Sequence, residues 1–240
     1  MTRVCFTKTD YAFCGEIGVF MEEIHNLGTK EAEKARFKIF GLEAVYLYLF
    51  GIGVAFVGWI AENAARLVMQ GIIDCRFHVL PFISPYALIP FAFHIVMGDP
   101  DDASVCGKKL FGGNVKHKTL YSNLFCLTVL MAGVFFGELA VGNAWDILFG
   151  VELWNYSTMP LSVTQYAGLI PTIGYGGGAY IIFKLVYKPL MRVIKTKVSF
   201  KTAKIICLTL GVLIVLDTVC MMLQTMLLGE PPVYWRVSIR

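Results

Sequence analysis

Five long apolar runs, spaced by polar stretches, organise this chain: residues 40–68, 79–97, 120–141, 163–186 and 205–228. Each is continuously apolar rather than alternating, which argues for membrane helices and against the strands of a lipid-facing barrel. The first run exceeds the ~20 residues a helix needs to cross a bilayer, so it should tilt or project beyond the hydrocarbon. The predicted fold is all-α: a single bundle of about five transmembrane helices over 38–230, with an N-terminal extension (1–37) and a short tail (231–240).

Within the extension, Ile17, Phe20, Met21 and Ile24 recur at helical spacing. They predict a short amphipathic helix on the cytoplasmic membrane surface or packed on the bundle, the alternative being a solvated, partly folded extension. Asn26-Leu27-Gly28 reads as its stop and Thr29 as the cap of the next helix. Lys8, Asp10, Glu16, Glu22 and Glu23 interrupt any apolar core that a secretory signal would require.

Charge gives the orientation. With each Lys or Arg assigned to the nearest stretch between runs, the counts in chain order are 6, 2, 4, 0, 7 and 2. The odd-numbered stretches hold 17 of the 21 basic residues, which places them and the amino terminus in the cytoplasm, with the carboxyl terminus outside. Composition agrees, with 57% hydrophobic and 16% charged residues and a mean hydropathy of +0.65. Orientation and lipid head groups account for the net charge of +4 without a nucleic-acid partner.

Only Cys75 of seven cysteines would lie outside, so a disulfide framework is not expected. His25, His78, His94 and His117 are scattered and make no metal-ligand spacing. Residues 112–119 are the nearest approach to a phosphate-binding loop, but they lack its second glycine and a preceding strand. Neither a cofactor nor a motor is expected within the chain.

The chemistry-bearing residues cluster at one depth. Glu62 and Arg66, in Gly58-Trp59-Ile60-Ala61-Glu62-Asn63-Ala64-Ala65-Arg66, share a helix face near the outer end of the first run. They fit either a structural ion pair or a pair facing a cavity. Glu138 lies 18 residues after Leu120, about 27 Å of helical rise, at a comparable height. Gly133 and Gly137 precede it and offer close approach to another helix. Glu152-Leu153-Trp154-Asn155-Tyr156-Ser157, with Gln165 and Tyr166, supplies aromatic and hydrogen-bonding groups from a loop without basic residues. Arg76 opens a segment with prolines at 81, 85 and 90, which predicts a broken or re-entrant path. Asp217, mid-way along the last run, is either a proton or ion ligand or a partner of Thr209, Thr218 or a neighbouring helix. Gly174-Tyr175-Gly176-Gly177-Gly178 suggests close helix packing or a hinge.

In order and spacing, Gly58-Trp59 with Glu62, the Arg76–Pro90 segment, Glu138, and Trp154-Asn155-Tyr156-Ser157 followed by Pro160 resemble the bacterial ABC-transporter permease family over residues 55–185. The family's Trp-Asp-Tyr-Ser is here Trp-Asn-Tyr-Ser, and its Arg-Gly is here Arg76-Phe77. Ser162 and Gln165 stand where Asn and Gly are usual. The resemblance implies a polytopic membrane protein and a permease-like role, with any ATPase on a separate subunit. Together these features predict an outward-facing pocket for a small solute or ion, built from Glu62, Arg66, Arg76, Glu138, Trp154, Asn155, Tyr156 and Gln165. An enzyme acting on a lipid or isoprenoid, and a structural or regulatory subunit, are the alternatives; a homodimer would supply the symmetry that a chain without internal repeats lacks.

Overall fold

The computed structural model describes residues 37–39, 42–112 and 115–239, and divides into a unit ending at Glu43 and a second unit beginning at Ala44. In the first unit β1 (Lys38–Ile39) pairs antiparallel with β2 (Leu42–Glu43). The amphipathic helix expected around residues 17–24, with Cys5, Cys14 and Thr29, lies outside the described residues.

The second unit contains, among the described residues, four helices long and apolar enough to cross a membrane. They are α1 (Ala44–Gln70), α3 (Lys118–Phe149), α4 (Leu169–Lys197) and α5 (Phe200–Leu228). Between α1 and α3 lie a 3-10 turn (Ser84–Leu88) and the short α2 (Ile89–Val96). Each long run lacks internal proline or meets it only in its first turn or beside a π-helical turn, so the backbone can close its own hydrogen bonds, as a lipid-exposed segment must. Ser199 caps α5 by accepting from the Thr202 amide at 3.1 Å, and Gly229 ends it in the left-handed region at φ 72°. In α4 a π-helical turn spans Ile182–Tyr187.

Contacts fix the helix directions. The Tyr46 hydroxyl donates to the Val198 carbonyl at 3.1 Å, so α1 starts where α4 ends. Lys184 Nζ donates to Asn123 Oδ1 at 2.8 Å, which sets α4 antiparallel to α3. Strand β3 (Ile72–Asp74), just beyond α1, pairs antiparallel with β7 (Arg236–Ser238), just beyond α5. The bundle therefore has one end carrying β3, β7 and the 150–168 loop. At the other stand the small sheet β4 (Gly98–Asp99), β5 (Asp102–Val105) and β6 (Lys108–Lys109) and the α4–α5 turn.

The second expected membrane helix, 79–97, is the main correction. Only Ile89–Val96 is α-helical, which is too short to span alone. Three prolines remove donors and disfavour helix in their predecessors. The chain nevertheless passes from the β3 end to the opposite end. Val79 and Leu80 donate their amides to Asp217 in the middle of α5, each at 3.0 Å. The Ile83 amide then reaches the Ala55 carbonyl at 3.3 Å. Phe93 stacks on Phe183 with ring centroids 3.7 Å apart, in an aromatic core shared with Phe50 and Tyr187. Irregular backbone at this depth is tolerable because Asp217 and the Ala55 carbonyl satisfy its amides. A Cβ added at Gly51 would meet the Ala87 carbonyl oxygen at 2.2 Å, so that helix position must be bare for the 3-10 turn to nest against α1.

The glycines do not all pack as expected. Gly133 and Gly137 meet nothing within 4 Å, and the close approach of α4 to α3 falls instead at Gly176 against Met131. Gly174, Gly177 and Gly178 also have open surroundings, and the irregular turn of α4 lies beyond them, at Ile182–Tyr187.

Candidate functional site

At the β3–β7 end, side chains from α1, the segment after β3, the 3-10 turn, α3, α4 and the 150–168 loop form one polar cluster. Glu62 is its first anchor. One carboxylate oxygen accepts from Arg76 Nε at 2.8 Å and also pairs with Arg76 Nη2, and the other accepts from the Tyr86 hydroxyl at 2.7 Å. Burial alone would lower the Arg76 guanidinium, but the charge and hydrogen bonds of Glu62 outweigh it and raise the group above an ordinary arginine. The pair is fixed by these hydrogen bonds.

Tyr86 reaches Glu62 because of Gly58. A Cβ there would lie 1.9 Å from Tyr86 Cδ2, so the bare backbone is where the tyrosine ring rests. That gives the Gly58-Trp59 motif a physical reading: the glycine seats the ring, while Trp59 packs edge-on against Trp235 at 6.3 Å.

Glu138 is the second anchor. Its Oε1 accepts from the Tyr156 hydroxyl at 3.0 Å, whereas its Oε2 is buried without a hydrogen-bond partner among the described residues. The loop is folded to aim that tyrosine. The Tyr156 amide donates to the Gln165 carbonyl at 2.7 Å, Trp154 Nε1 donates to the Tyr166 carbonyl at 3.0 Å, and Asn155 Oδ1 accepts from the Ser157 amide at 2.8 Å. Gly142 leaves the space into which the Tyr166 ring packs, since a Cβ there would sit 2.4 Å from Cγ. Burial first, then the nearby Glu138 charge, raises the Tyr156 phenol well above its ordinary value, so it serves as a donor.

Tyr175 of α4 lies in the electrostatic reach of Glu62, Glu138 and Arg76, and Glu62 lies within that of Glu138. The two acids, Arg76, Tyr86 and Tyr156 thus form two hydrogen-bonded groups, one on Glu62 and one on Glu138, at the same end of the bundle.

The other expected residues are placed differently. Arg66 pairs with Asp74 and donates to Gln70 Oε1 at 3.3 Å rather than reaching Glu62. Its partner Asp74 also accepts from the Arg76 amide at 3.0 Å, while the Asp74 amide donates to Asn63 Oδ1 at 2.9 Å. Asp74 is therefore the hub that turns the chain so Arg76 faces Glu62. Trp154 uses its indole N–H inside the loop, Asn155 is exposed and accepts or donates only locally, and Gln165 contributes its backbone while its residue is exposed. Asp217 clasps the segment after β3. Both its oxygens accept backbone amides, with His78 Nδ1 3.5 Å away, whereas Thr218 bonds the Ile214 carbonyl instead.

Tyr86, Tyr175 and Asp74 escaped the sequence reading. Tyrosines in apolar helices look like interface aromatics, and Asp74 looks like a loop carboxylate. The one available signal for Tyr86 was its place in a proline-broken segment following an arginine.

A family model described as "Putative ABC-transporter type IV" matches residues 48–222. No curated protein and no solved structure matches the chain. The match spans all four long helices almost completely and includes Glu62, Arg76, Tyr86, Glu138, Tyr156 and Tyr175, and with those apolar helices it marks a membrane protein.

Proposed function

The chain belongs to this transporter-related family, and on that premise we propose that it is a permease-like membrane component whose polar cluster binds a small solute or ion. What supports the reading is that Glu62 with Arg76 and Tyr86, and Glu138 with Tyr156, put two acids from separate helices half-buried at one end of the bundle. Ionisable groups at membrane depth are expensive, and a protein that gathers several there commonly uses them on a solute pathway. Trp154, Asn155 and Gln165 hold or border the loop over the cluster, and Arg66 acts through Asp74.

The bias of basic residues supports placing the cluster at the extracytoplasmic side, with the amino terminus in the cytoplasm and the carboxyl terminus outside. An ATPase on a separate subunit would then meet the opposite end, at residues 108–118 and 188–204. A homodimer is compatible with this arrangement, as is ordinary packing against membrane lipids.

The test is flux of protons and monovalent cations through proteoliposomes carrying the purified chain, with and without a candidate ATPase. The reading expects flux that Glu138→Gln abolishes. Flux unaffected by both Glu62→Gln and Glu138→Gln refutes it.

A further inference from the structure

Away from the acids, in the half of α5 opposite the β3–β7 end, an open apolar groove of about 330 Å³ runs between Tyr48 of α1 and Cys207, Leu208, Gly211, Val212 and Val215 of α5. Gly211 gives the groove its depth. A Cβ there would come within 3.0 Å of the Tyr48 hydroxyl oxygen, so any larger residue would fill the floor. Leu208, Val212 and Val215 are 67, 50 and 58% exposed, so the described chain leaves this side uncovered.

Two lysines crown it. Lys201, Lys204, Leu208, Gly211 and Val215 follow one another at spacings of three or four, hence on one helix face. Lys204 stands one turn before Leu208, about 6 Å of helical rise, and its long stem can carry the ammonium on toward the membrane surface. Both lysines are exposed, and neither pairs with an acid among the described residues. Four other lysines of this end differ, since Lys109 and Lys118 pair with Asp102, Lys184 with Asp101 and Lys188 with Asp99. Along α5 itself no acidic residue precedes Asp217. The groove is therefore apolar along its length and uncompensated in positive charge at its rim.

That combination selects its occupant. A second copy inserted in the same direction would bring its own Lys201 and Lys204 to the same level, like charge against like. A free phosphate would answer the lysines and leave the groove bare, and a zwitterionic lipid would fill the groove without net charge opposite them. An anionic phospholipid meets both demands, and juxtamembrane lysines are attracted to such head groups. We propose that this face of α5 is a binding site for one anionic phospholipid, with an acyl chain lying along Leu208, Gly211 and Val215 against Tyr48 and the phosphate held by Lys201 and Lys204. The site goes beyond the permease-like reading and does not depend on it; it requires only that α5 span the bilayer.

The test uses the purified full chain in detergent, titrated with dioleoyl phosphatidylglycerol, with dioleoyl phosphatidylcholine, which has the same tails, and with glycerol phosphate, which has none. Native mass spectrometry counts the lipid retained, and thermal unfolding follows its effect. One phosphatidylglycerol should be held in preference to phosphatidylcholine, by about fivefold for each lysine and so roughly twenty- to thirtyfold for the pair. Glycerol phosphate should not bind. Combining Lys201→Gln with Lys204→Gln should bring the two lipids to nearly equal retention, whereas Lys195→Gln with Lys197→Gln on α4 should keep the preference. Val212→Trp fills the groove from an exposed position and should lower retention of both lipids; Leu208→Trp, at a still more exposed position, replaces it if that variant does not melt cooperatively. Equal retention of the two lipids by the unaltered chain, or a preference that survives loss of Lys201 and Lys204, overturns the proposal. So does a preference lost equally with Lys195 and Lys197, which marks diffuse attraction rather than a site. Binding of glycerol phosphate as tight as that of the lipid makes the lysines a phosphate site and also overturns it, as does a lipid-free dimer that Val212→Trp dissociates, which makes the groove an interface between copies.

Discussion

Gly58→Ala is the most diagnostic single change. The added Cβ would sit 1.9 Å from Tyr86 Cδ2 and 2.5 Å from Cε2, against an ordinary carbon–carbon separation of about 3.5–4.0 Å. The ring must retreat by roughly 1.5–2 Å to restore that contact. Such a shift takes the hydroxyl out of range of Glu62, now 2.7 Å away. Overpacking at about 1–3 kcal/mol and loss of a charged hydrogen bond at about 1.5–3 kcal/mol oppose a helix-propensity gain of up to about 1 kcal/mol. The net expectation is a destabilisation of about 2–4 kcal/mol. Gly53→Ala on the same helix provides the control, because nothing lies within 4 Å of its added Cβ; it should be neutral or stabilising by up to about 1 kcal/mol.

A double-mutant cycle isolates the ring. In a Tyr86→Ala background the obstruction is gone, so Gly58→Ala should behave like Gly53→Ala, giving a coupling of at least about 2 kcal/mol. Equilibrium unfolding in mixed micelles, followed by tryptophan fluorescence, measures all four variants. If Gly58→Ala is as mild as Gly53→Ala, or keeps its full cost without the tyrosine, the account of the Gly58-Trp59 motif is wrong.

Other consequences are equally open to measurement. Asp217→Asn retains one acceptor oxygen but turns an amide donor toward the Val79 or Leu80 N–H, so a loss of about 2–3 kcal/mol is expected in thermal or micellar unfolding; wild-type stability in Asp217→Asn would rule out the carboxylate as the clasp of the broken segment. Phe77 stands in the left-handed region at φ 69°, with the Arg76 guanidinium 5.5 Å from its ring centroid. Phe77→Gly should therefore be tolerated within about 1 kcal/mol, whereas the β-branched Phe77→Val should lose about 1–2 kcal/mol more, and the reverse order in melting temperature would contradict that backbone geometry. Hydrogen bonds from Lys184 to Asp101, and from Lys109 and Lys118 to Asp102, hold both carboxyls below their ordinary values. A depressed folded-state pKa contributes stability above the unfolded value of about 4 and loses it as pH falls through the folded one. Amide exchange across Asp102–Val105, corrected for intrinsic rates, should accelerate as pH drops below about 4; constant protection down to pH 3 or so would dissociate these pairs from the sheet's stability.

The apolar periodicity carried the long helices, because a segment that must satisfy its backbone within lipid has few alternatives. Taken alone it overstates a helix at 79–97, where the prolines at 81, 85 and 90 predict the broken path that is observed and Asp217 supplies the acceptors that make it tolerable. The height of Glu62 and Glu138 could be read from helical rise. Their partners could not. Arg66 is the sequence-adjacent choice for Glu62, yet the turn at Asp74 captures Arg66 and delivers Arg76 instead. Spacing along one helix cannot anticipate a competitor that arrives from a tight turn beyond it. The family's Arg-Gly pattern, here Arg76-Phe77, did hold the relevant hint, since both residues adopt positive φ, where glycine is at ease.

The pairing of β3 with β7 joins the chain just after its first long helix to the chain just after its last. At that rim the two helices are hooped together by main-chain bonds, so they cannot spread apart there without breaking a ladder. Any opening of the bundle that preserves this hoop has to swing from the far end, where the π-helical turn and the Lys184 and Lys188 pairs with Asp99 and Asp101 offer side-chain fastenings that can be released one at a time.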